Sequence, residues 1–244
     1  MISFQIKLAG IPIQVHAIYS YSMQFCQCYL TEEAPYFTVT MTQQDIEEER
    51  IRSCRTCIQE KREVIDYSNA YLETLALYRK LTAELIRFNI LLFHGSVIAV
   101  KDQAYLFTAK SGVGKTTHTQ LWLKNIPDCH VLNGDKPLIA FYNDEIYACG
   151  TPWQGKENLG TNEVLPLKAI CILERSAKNQ LEQLSFKTAF PTLMTQSYHP
   201  NGSKGLMQSI DLIKQFERIK LYRLKCNMND EAAFVSYKGM VEFA

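Results

Sequence analysis

The sequence has almost no excess of charge of either sign. Its 26 Lys and Arg residues are balanced by 25 Asp and Glu residues, which gives a formal net charge of +1 at pH 7. A protein that holds a polyanion needs a broad positive field on its surface. The composition therefore argues against a nucleic acid as the partner.

The chain also lacks the features of an exported or membrane protein. Its start, MISFQIKLAGIPIQV, has neither a basic leader nor a long apolar stretch, and no later run reaches the length of a membrane span. We therefore expect a cytoplasmic protein with no membrane partner. In that compartment its eight cysteines are expected to be reduced thiols.

The cysteines fall into two groups. Four lie in or beside apolar, strand-like segments and are expected in the core, namely Cys129, Cys149, Cys171 and Cys226. The other four form two closely spaced pairs that raise the alternative of a zinc site, Cys26 with Cys28 and Cys54 with Cys57. A C-x-C pair on a strand places its two thiols in a geometry that suits one metal ion poorly, and the second pair falls in a predicted helix. We favour free thiols.

The sequence has no internal repeats and no low-complexity linker, and its 244 residues, 47% of them hydrophobic, suffice for one large domain or two unequal ones. The residue pattern changes near position 90. We therefore place a small β-rich and helical region at residues 1–88 and a larger core with C-terminal helices at residues 89–244.

Residues 2–40 of the first region are predicted to form short strands, with a hairpin around Gly10 and a further strand in YFTVTM. Thr42 and Asp45 have the spacing of a capping box and predict the start of a helix. A second helix is predicted from Asp66 to Asn89, because apolar residues recur there at steps of three and four.

In the larger region, strands are predicted at Ser96–Val100 and Tyr105–Thr108, and the four residues KDQA between them indicate an antiparallel hairpin. Further strands are predicted at His130–Leu132, Leu138–Tyr142, Ile146–Cys149 and Leu167–Leu173. Helices are predicted at Lys115–Lys124, Lys204–Lys220 and Asp230–Gly239. The pattern predicts an α/β (α+β) fold with mixed, largely antiparallel sheets and flanking helices.

The segment YLFTAKSGVGKTTHTQLW has the form of a phosphate-binding loop, [AG]-x4-G-K-[ST], or Walker A motif, between a strand and a helix. Small residues let backbone N–H groups converge on phosphate oxygens, Lys115 would neutralise the β- and γ-phosphates, and the Thr116 hydroxyl would ligate Mg²⁺. The strand–turn–helix context favours this over a plain glycine-rich turn. We expect ATP and Mg²⁺ as cofactors, with the nucleotide bound by Ser111, Gly112, Val113, Gly114, Lys115, Thr116 and Thr117.

Two later loops add polar groups. Asp135, in HVLNGDKPLIA, follows a predicted strand, where a carboxylate can meet Mg²⁺ or accept a proton from an attacking hydroxyl. An ordinary N-G-D turn explains the same residues equally well. GTPWQGKENLG is a second small-residue loop that carries Trp153 and Lys156, although G-T-P is also plain turn chemistry.

Taken in order, the motifs resemble those of the HPr kinase and phosphoenolpyruvate carboxykinase superfamily. They are HGS at 94–96, the hairpin leading into AKSGVGKTTHTQLW, LNGDKPLI, GTPWQGK and PLKAICILER. The chain resembles small bacterial HPr-kinase-related proteins more than HPr kinase itself, over most of its length and including CNMNDEAA at 226–233. Similarity to HPr kinase itself covers roughly residues 89–180. The resemblance implies an HPr-kinase-like P-loop core.

The resemblance also implies roles for single residues. His94 would lie beside the transferred phosphoryl group, and Asp135 would match the second carboxylate of the family's Asp-Asp pair. Trp153 and Lys156 match the family's G-T-P-W-x-G-K loop. Arg175 matches its strand-end arginine, which could stabilise phosphoryl charge. The implied catalytic set is His94, Asp135, Lys156 and Arg175, with Thr116 and Asp135 as metal ligands.

Gly134 departs from the family pattern, because it stands where relatives have the first Asp of the pair. An Asp there is expected to raise the rate if the backbone tolerates a side chain. The signature used for phosphorolysis is absent, so no phosphorylase activity is expected. The leading function is an ATP- and Mg²⁺-dependent kinase that phosphorylates a hydroxyl of a peptide, a protein or a small molecule. The alternatives are a nucleotide-binding module with little or no catalysis and a phosphoenolpyruvate carboxykinase-like enzyme. A homo-oligomer is left open.

Overall fold

The computed structural model describes residues 1–59 and 61–242. The chain divides into two compact units, Met1–Glu84 and Leu85–Ala244, which we call the first and second units. Within the described residues, no helix has both the length and the apolar character needed to cross a lipid bilayer.

The described part of the first unit contains a three-stranded sheet and three helices. The strands are β1 (Ile2–Leu8), β2 (Ile11–Ala17) and β3 (Phe37–Thr40), and the helices are α1 (Ser20–Phe25), α2 (Gln43–Gln59) and α3 (Asn69–Leu85). β1 and β2 are antiparallel, whereas β3 joins β2 in parallel. The predicted hairpin is confirmed, and its turn places Gly10 at φ 82°, a conformation that glycine adopts without strain.

The start of α2 confirms the predicted capping box. The Thr42 N–H donates to Asp45 Oδ2 at 2.7 Å, and the Asp45 N–H donates to Thr42 Oγ1 at 3.3 Å. These reciprocal bonds satisfy two backbone donors that the first turn of a helix leaves without partners. The second predicted helix is also present as α3, but it starts at Asn69 rather than at Asp66.

Residues 20–25 correct the prediction, because they form α1 in a stretch expected to contain strands. The carboxylate of Glu73, on α3, accepts hydrogen bonds from the backbone N–H groups of Ile18 (2.6 Å) and Tyr19 (3.1 Å) and from the Ser22 hydroxyl (2.6 Å). A carboxylate at a helix N-terminus satisfies free N–H groups and complements the helix dipole. The group that holds the start of α1 thus lies about 50 residues away in the sequence.

The second unit is built on a nine-stranded sheet. Its strands are β4 (Ile90–Leu92), β5 (Ser96–Val100), β6 (Gln103–Thr108), β7 (Cys129–Asn133), β8 (Leu138–Tyr142), β9 (Glu145–Cys149), β10 (Val164–Arg175), β11 (Gln180–Gln183) and β12 (Lys220–Cys226). Its helices are α4 (Lys115–Asn125), α5 (Phe186–Gln196), α6 (Ser203–Lys214) and α7 (Glu231–Tyr237). A π-helical turn at Lys238–Glu242 follows α7.

The sheet is mixed, as predicted. The main strand order is β4-β8-β9-β10-β6-β5-β7, with β12 pairing with β10 and β11 beside it. β10 runs parallel to β6 and β12, and the other pairs are antiparallel, including the predicted β5–β6 hairpin. The fold is therefore a mixed α/β arrangement of largely antiparallel strands with flanking helices.

Both faces of the central strands are covered, and the side chains alternate between two cores. Along β6, Leu106 packs in one core with helical residues such as Leu193 and Leu212, and Phe107 packs in the other with Trp122. Side chains on successive strand positions point to opposite faces, so a strand covered on both sides is apolar throughout. This explains the unbroken apolar runs in the sequence of this unit.

The end of the chain differs from the prediction. The helix expected to reach Lys220 ends at Lys214 and is followed by a 3₁₀ turn, and Lys220–Cys226 forms β12, which was not predicted. Helix α5 was missed as well, since Pro191 lies inside it. Proline removes one N–H donor and normally argues against a helix interior.

Candidate functional site

The candidate site lies at one edge of the second unit's sheet. β6 and β10 are parallel, and β5 is antiparallel to both β6 and β7, so β6, β7 and β10 point in one direction. The loops that follow these three strands, and the residues that precede β5, therefore meet at the same edge. In α/β sheets, ligands bind at the carboxyl ends of strands.

The glycine loop, residues 109–114, joins β6 to α4. Gly112 and Gly114 have φ angles of 78° and 126°, which glycine adopts far more readily than other residues. The loop folds back so that Lys115 Nζ donates to the carbonyl oxygen of Ala109 at 3.3 Å. Of the residues expected to bind nucleotide, four are exposed, namely Ser111, Gly112, Thr116 and Thr117, and three are half-buried, namely Val113, Gly114 and Lys115.

Helix α4 is tied to the sheet just behind this loop. The hydroxyl groups of Ser96, on β5, and Thr119 are 2.7 Å apart, and Thr119 Oγ1 also donates to the carbonyl oxygen of Lys115 at 3.1 Å. Both side chains are buried. The Ser of the HGS motif thus fixes the helix whose first residue is the candidate phosphate-binding lysine.

His118 lies on the buried face of the same helix. Its Nε2 accepts from Trp122 Nε1 at 3.1 Å and lies 3.2 Å from the Ser236 hydroxyl, while its Nδ1 is buried without a hydrogen-bond partner in the described structure. Burial lowers the pKa of His118 to about 4. The ring is therefore neutral near pH 7 and belongs to the packing between α4 and α7.

His94 and Asp135 meet at the centre of the edge. His94 Nε2 lies 3.3 Å from Asp135 Oδ1, and the Gly95 N–H donates to the carbonyl oxygen of Asp135 at 3.0 Å. Thr108, the last residue of β6, donates from its hydroxyl to the His94 carbonyl oxygen at 2.9 Å. The segment before β5 therefore links the end of β6 to the turn after β7.

Gln196, the last residue of α5, holds the other side of the His94 ring. Its carbonyl oxygen accepts from the His94 N–H at 2.7 Å, and its Oε1 lies 2.8 Å from His94 Nδ1. When the ring donates from Nε2 to Asp135, its charge depends on Nδ1. If Gln196 turns its NH₂ group to Nδ1, that nitrogen accepts and the ring is neutral. If Gln196 presents its oxygen, Nδ1 donates and the ring is cationic. The amide can support either form of the ring.

The backbone of Asp135 is fixed by a buried amide. Asn133 Oδ1 accepts from the N–H groups of Asp135 (2.9 Å) and Lys136 (2.7 Å). Asn133 Nδ2 donates to the Thr151 carbonyl oxygen (3.2 Å) and hydroxyl (3.0 Å). The Thr151 hydroxyl in turn donates to the carbonyl oxygen of Lys136 at 2.8 Å. One side chain thus joins the turn after β7 to the loop after β9.

Asp135 is the acidic residue of this centre. Burial acts to raise its pKa, but the hydrogen bond from His94 and the charge of Lys136 outweigh that effect and hold the pKa below its ordinary value. Lys136 Nζ lies 3.4 Å from Asp135 Oδ2, so each carboxylate oxygen faces a different basic group. The side chain is a carboxylate at neutral pH.

The loop after β9 packs directly on this turn. A Cβ at Gly155 would lie 3.3 Å from Asp135 Cβ, and Trp153 is buried. Lys156 is exposed and makes no hydrogen bond or ion pair with a described residue. The loop therefore contributes a wall through its backbone, and it leaves the Lys156 ammonium group in solvent.

Gly134 has no room for a side chain. A Cβ there would lie 2.4 Å from the backbone oxygen of Gln154, a distance that real side chains do not show. An Asp at this position was expected to raise the rate only if the backbone tolerates a side chain, and this condition is not met. Glycine is required at this point by the close approach of the 150–156 loop.

Arg175 ends β10 and turns toward the glycine loop. Its Nε donates to the Val113 carbonyl oxygen at 3.1 Å, and a terminal nitrogen donates to the Gly112 carbonyl oxygen. Ile172 on β10 lies beside Thr108 on β6, which explains how the strand brings the arginine to the loop. In this structure the guanidinium group organises the loop.

Oxygen donors suitable for Mg²⁺ are present in the Thr116 hydroxyl and the Asp135 carboxylate. Mg²⁺ binds oxygen, commonly through one or two protein groups together with substrate phosphates and water, so these donors fit a nucleotide-borne ion. Among residues 1–59 and 61–242, no three His, Cys, Asp or Glu side chains cluster to hold a metal.

The eight cysteines are free. Cys54 and Cys57 lie on α2, in the helix predicted there. Cys26 and Cys28 lie at the end of α1 and in the 3₁₀ turn after it.

Sequence reasoning did not assign roles to four residues that shape this site, namely Asn133, Lys136, Thr151 and Gln196. A signal existed for Asn133, since Asn in an N-G-D turn commonly bonds backbone groups two residues ahead. No such local signal exists for Gln196, which reaches His94 across 102 positions.

No protein-family model and no curated protein match the chain. Among solved structures, the chain is similar to the HPr(Ser) kinase/phosphatase from Coxiella burnetii, with a TM-score of 0.37 and 7% sequence identity. That match covers 62% of this chain and 97% of the other.

Proposed function

We propose that the protein is an ATP- and Mg²⁺-dependent phosphotransferase that phosphorylates a hydroxyl group. The observation that carries the proposal is the convergence of the glycine loop, Lys115 and the His94–Asp135 pair at one sheet edge. Backbone N–H groups at the start of α4 and the Lys115 ammonium group would bind the nucleotide phosphates. The acceptor is a serine of a peptide or protein, or a small molecule.

In the proposed reaction the acceptor oxygen attacks the γ-phosphorus of ATP. A P–O bond to the acceptor forms, the bond to the β–γ bridging oxygen breaks, and ADP leaves. The hydroxyl proton passes to Asp135, which is ionised and therefore able to accept it. Bound Mg²⁺ supplies charge neutralisation of the phosphates.

In this scheme His94 lies near the phosphoryl group and positions the carboxylate of Asp135. Its ring is held by Gln196 on one side and faces Asp135 on the other, so it orients the carboxylate. Arg175 supports the same chemistry indirectly, because it holds the carbonyl groups of Gly112 and Val113 and so shapes the loop. Lys156, exposed on its loop, is free to reach a bound substrate.

A second candidate function is a nucleotide-binding module with little or no catalysis. One observation favours it: Gly134 cannot carry the first carboxylate of the family's Asp-Asp pair, because the Gln154 backbone oxygen occupies the space. Asp135 would then have to serve alone, while both of its oxygens already face basic groups. ATP turnover separates this candidate from the phosphotransferase.

The first measurement is calorimetric titration with Mg-ATP of the wild type, Lys115→Ala and Lys187→Ala. Lys187 is an exposed lysine in the first turn of α5, and its variant controls for the loss of a surface charge. Removing a charged hydrogen bond to phosphate is expected to weaken binding by about ten- to hundredfold in Lys115→Ala alone. Equal affinity in all three proteins would rule out the loop as the nucleotide site.

The second measurement is ATP-to-ADP conversion with free serine or a serine-containing peptide as acceptor. Asp135→Asn is expected to lose turnover by about 10²- to 10⁴-fold while retaining Mg-ATP binding, because the amide cannot accept the proton. If the wild type binds ATP but converts none under any acceptor condition, the binding-module function replaces the phosphotransferase.

A further inference from the structure

We infer that Lys136 is a second phosphate-binding residue of this site, contacting the terminal phosphate from the side of Asp135. The inference rests on the phosphotransferase function proposed above and adds a residue to it. Lys136 is the residue after Asp135 in the turn that follows β7.

The backbone of Lys136 is fixed on both sides. Its N–H donates to Asn133 Oδ1 at 2.7 Å, and its carbonyl oxygen accepts from the Thr151 hydroxyl at 2.8 Å. Asn133 and Thr151 are fully or almost fully buried. The side chain therefore starts from a rigid base at the same sheet edge as the glycine loop, which is the arrangement that a binding residue needs.

The Lys136 ammonium group lies beside the carboxylate of Asp135. Its Nζ is 3.4 Å from Asp135 Oδ2, with 28% of its side chain exposed. On the other side of the His94–Asp135 pair, the Thr108 hydroxyl at the end of β6 bonds to the His94 carbonyl oxygen, and Lys115 Nζ bonds to the carbonyl oxygen of the next residue, Ala109. The two lysines therefore belong to the two loops that meet at the His94–Asp135 pair.

The single carboxylate of Asp135 does not neutralise the basic groups around it. Asp135 already faces His94 through Oδ1, and Gly134 supplies no second acid. Like charges that converge without a matching counter-charge form a site for an anion, since an anion between them removes the repulsion and satisfies their donors. A phosphate bound by Lys115 at the glycine loop is the anion that lies within reach of both.

The same residues indicate why a lysine is useful at this position. Charge that builds up on the phosphoryl oxygens in the transition state is stabilised by cationic groups placed beside them. Lys136 provides an ammonium group there, in a 3.4 Å ion pair with Asp135 that it can exchange for a phosphate oxygen.

The test compares ATP with ADP, which differ by the terminal phosphate alone. Calorimetric titrations with each nucleotide and Mg²⁺ are made on the wild type, Lys136→Ala, Lys136→Gln and Lys136→Arg, with Lys187→Ala as the matched surface control. We expect the Ala and Gln variants to bind ATP about ten- to hundredfold more weakly and ADP within about twofold of the wild type. Lys136→Arg, which keeps the charge, should recover part of the ATP affinity.

The possible results separate the two ideas. If the wild type binds neither nucleotide, both the proposed function and this inference are overturned. If the wild type binds both and Lys115→Ala weakens binding, but the Lys136 variants keep the wild-type ratio of ATP to ADP affinity, only the inference is overturned. The Gln variant guards against a folding defect in the Ala variant, and circular dichroism of both confirms that the fold is intact.

Discussion

Asn133 uses all four of its hydrogen-bonding positions to join two loops. Its oxygen accepts from the N–H groups of Asp135 and Lys136, and its NH₂ group donates twice to Thr151. The side chain is completely buried. A buried amide with every group satisfied defines one geometry, because any displacement leaves a donor or acceptor without a partner.

We predict that Asn133→Asp destabilises the second unit by about 2–4 kcal/mol, because a buried carboxylate oxygen would then face the Thr151 carbonyl oxygen. Both tryptophans, Trp122 and Trp153, lie in this unit, so urea unfolding followed by tryptophan fluorescence reports on it. Gln180→Ala, an exposed change on β11, serves as control and should stay within about 0.5 kcal/mol of the wild type. Equal stability of Asn133→Asp and wild type would mean that the buried amide is dispensable.

Gly134→Ala is predicted to destabilise the same unit by about 1–3 kcal/mol through overpacking. The methyl group would lie 2.4 Å from the Gln154 backbone oxygen, so one of the two loops has to move. The control is the double variant Gly134→Ala with Gln154→Ala, which removes the Gln154 side chain but not the clashing atom. Rescue by that second change would show that the conflict is with the side chain and would contradict the structure.

Much of the local structure could be predicted because its causes lie close together in the sequence. The capping box at Thr42 and Asp45 and the short KDQA turn specify their elements within a few residues. Helix α1 could not be predicted, since the carboxylate that holds its first turn comes from Glu73. Strand β12 was missed because the preceding apolar pattern was extended as helix to Lys220, beyond the point where the chain leaves α6 at Lys214.

For the site, the sequence indicated chemical groups but not the residues that orient them. The glycine loop and Lys115 follow from a short motif, Asp135 follows from its place after a predicted strand, and His94 was singled out only by the family resemblance. Gln196 and Thr151 contact this centre only after β-strands and α5 are in place. Such partners depend on tertiary structure, so no local pattern predicts them.

Arg175→Ala is predicted to loosen the glycine loop, because the guanidinium group bonds to the carbonyl oxygens of Gly112 and Val113. Hydrogen–deuterium exchange at the loop amides should become faster, and ATP and ADP affinities should fall together by about five- to tenfold, as expected when ordering is lost. Arg223→Ala, which removes an arginine paired with Glu182 on the neighbouring strand β11, is the control. A loss confined to ATP, with unchanged exchange, would instead assign Arg175 a direct contact with the terminal phosphate.

The burial of His118 predicts that the second unit loses stability in acid. In the unfolded chain this histidine titrates near its ordinary pKa of 6.5, whereas burial holds the folded pKa at about 4. Between these values the unfolded chain binds the proton and the folded chain does not, so stability falls as the pH decreases from about 6.5 to 4 and this contribution levels off below 4.

The difference corresponds to about 3 kcal/mol. It should be absent in His118→Leu, in which the Ser236 hydroxyl still accepts from Trp122 Nε1 at 2.8 Å. Urea unfolding at a series of pH values, followed by tryptophan fluorescence, measures the effect. Parallel pH profiles for wild type and His118→Leu would show that His118 does not carry this acid sensitivity.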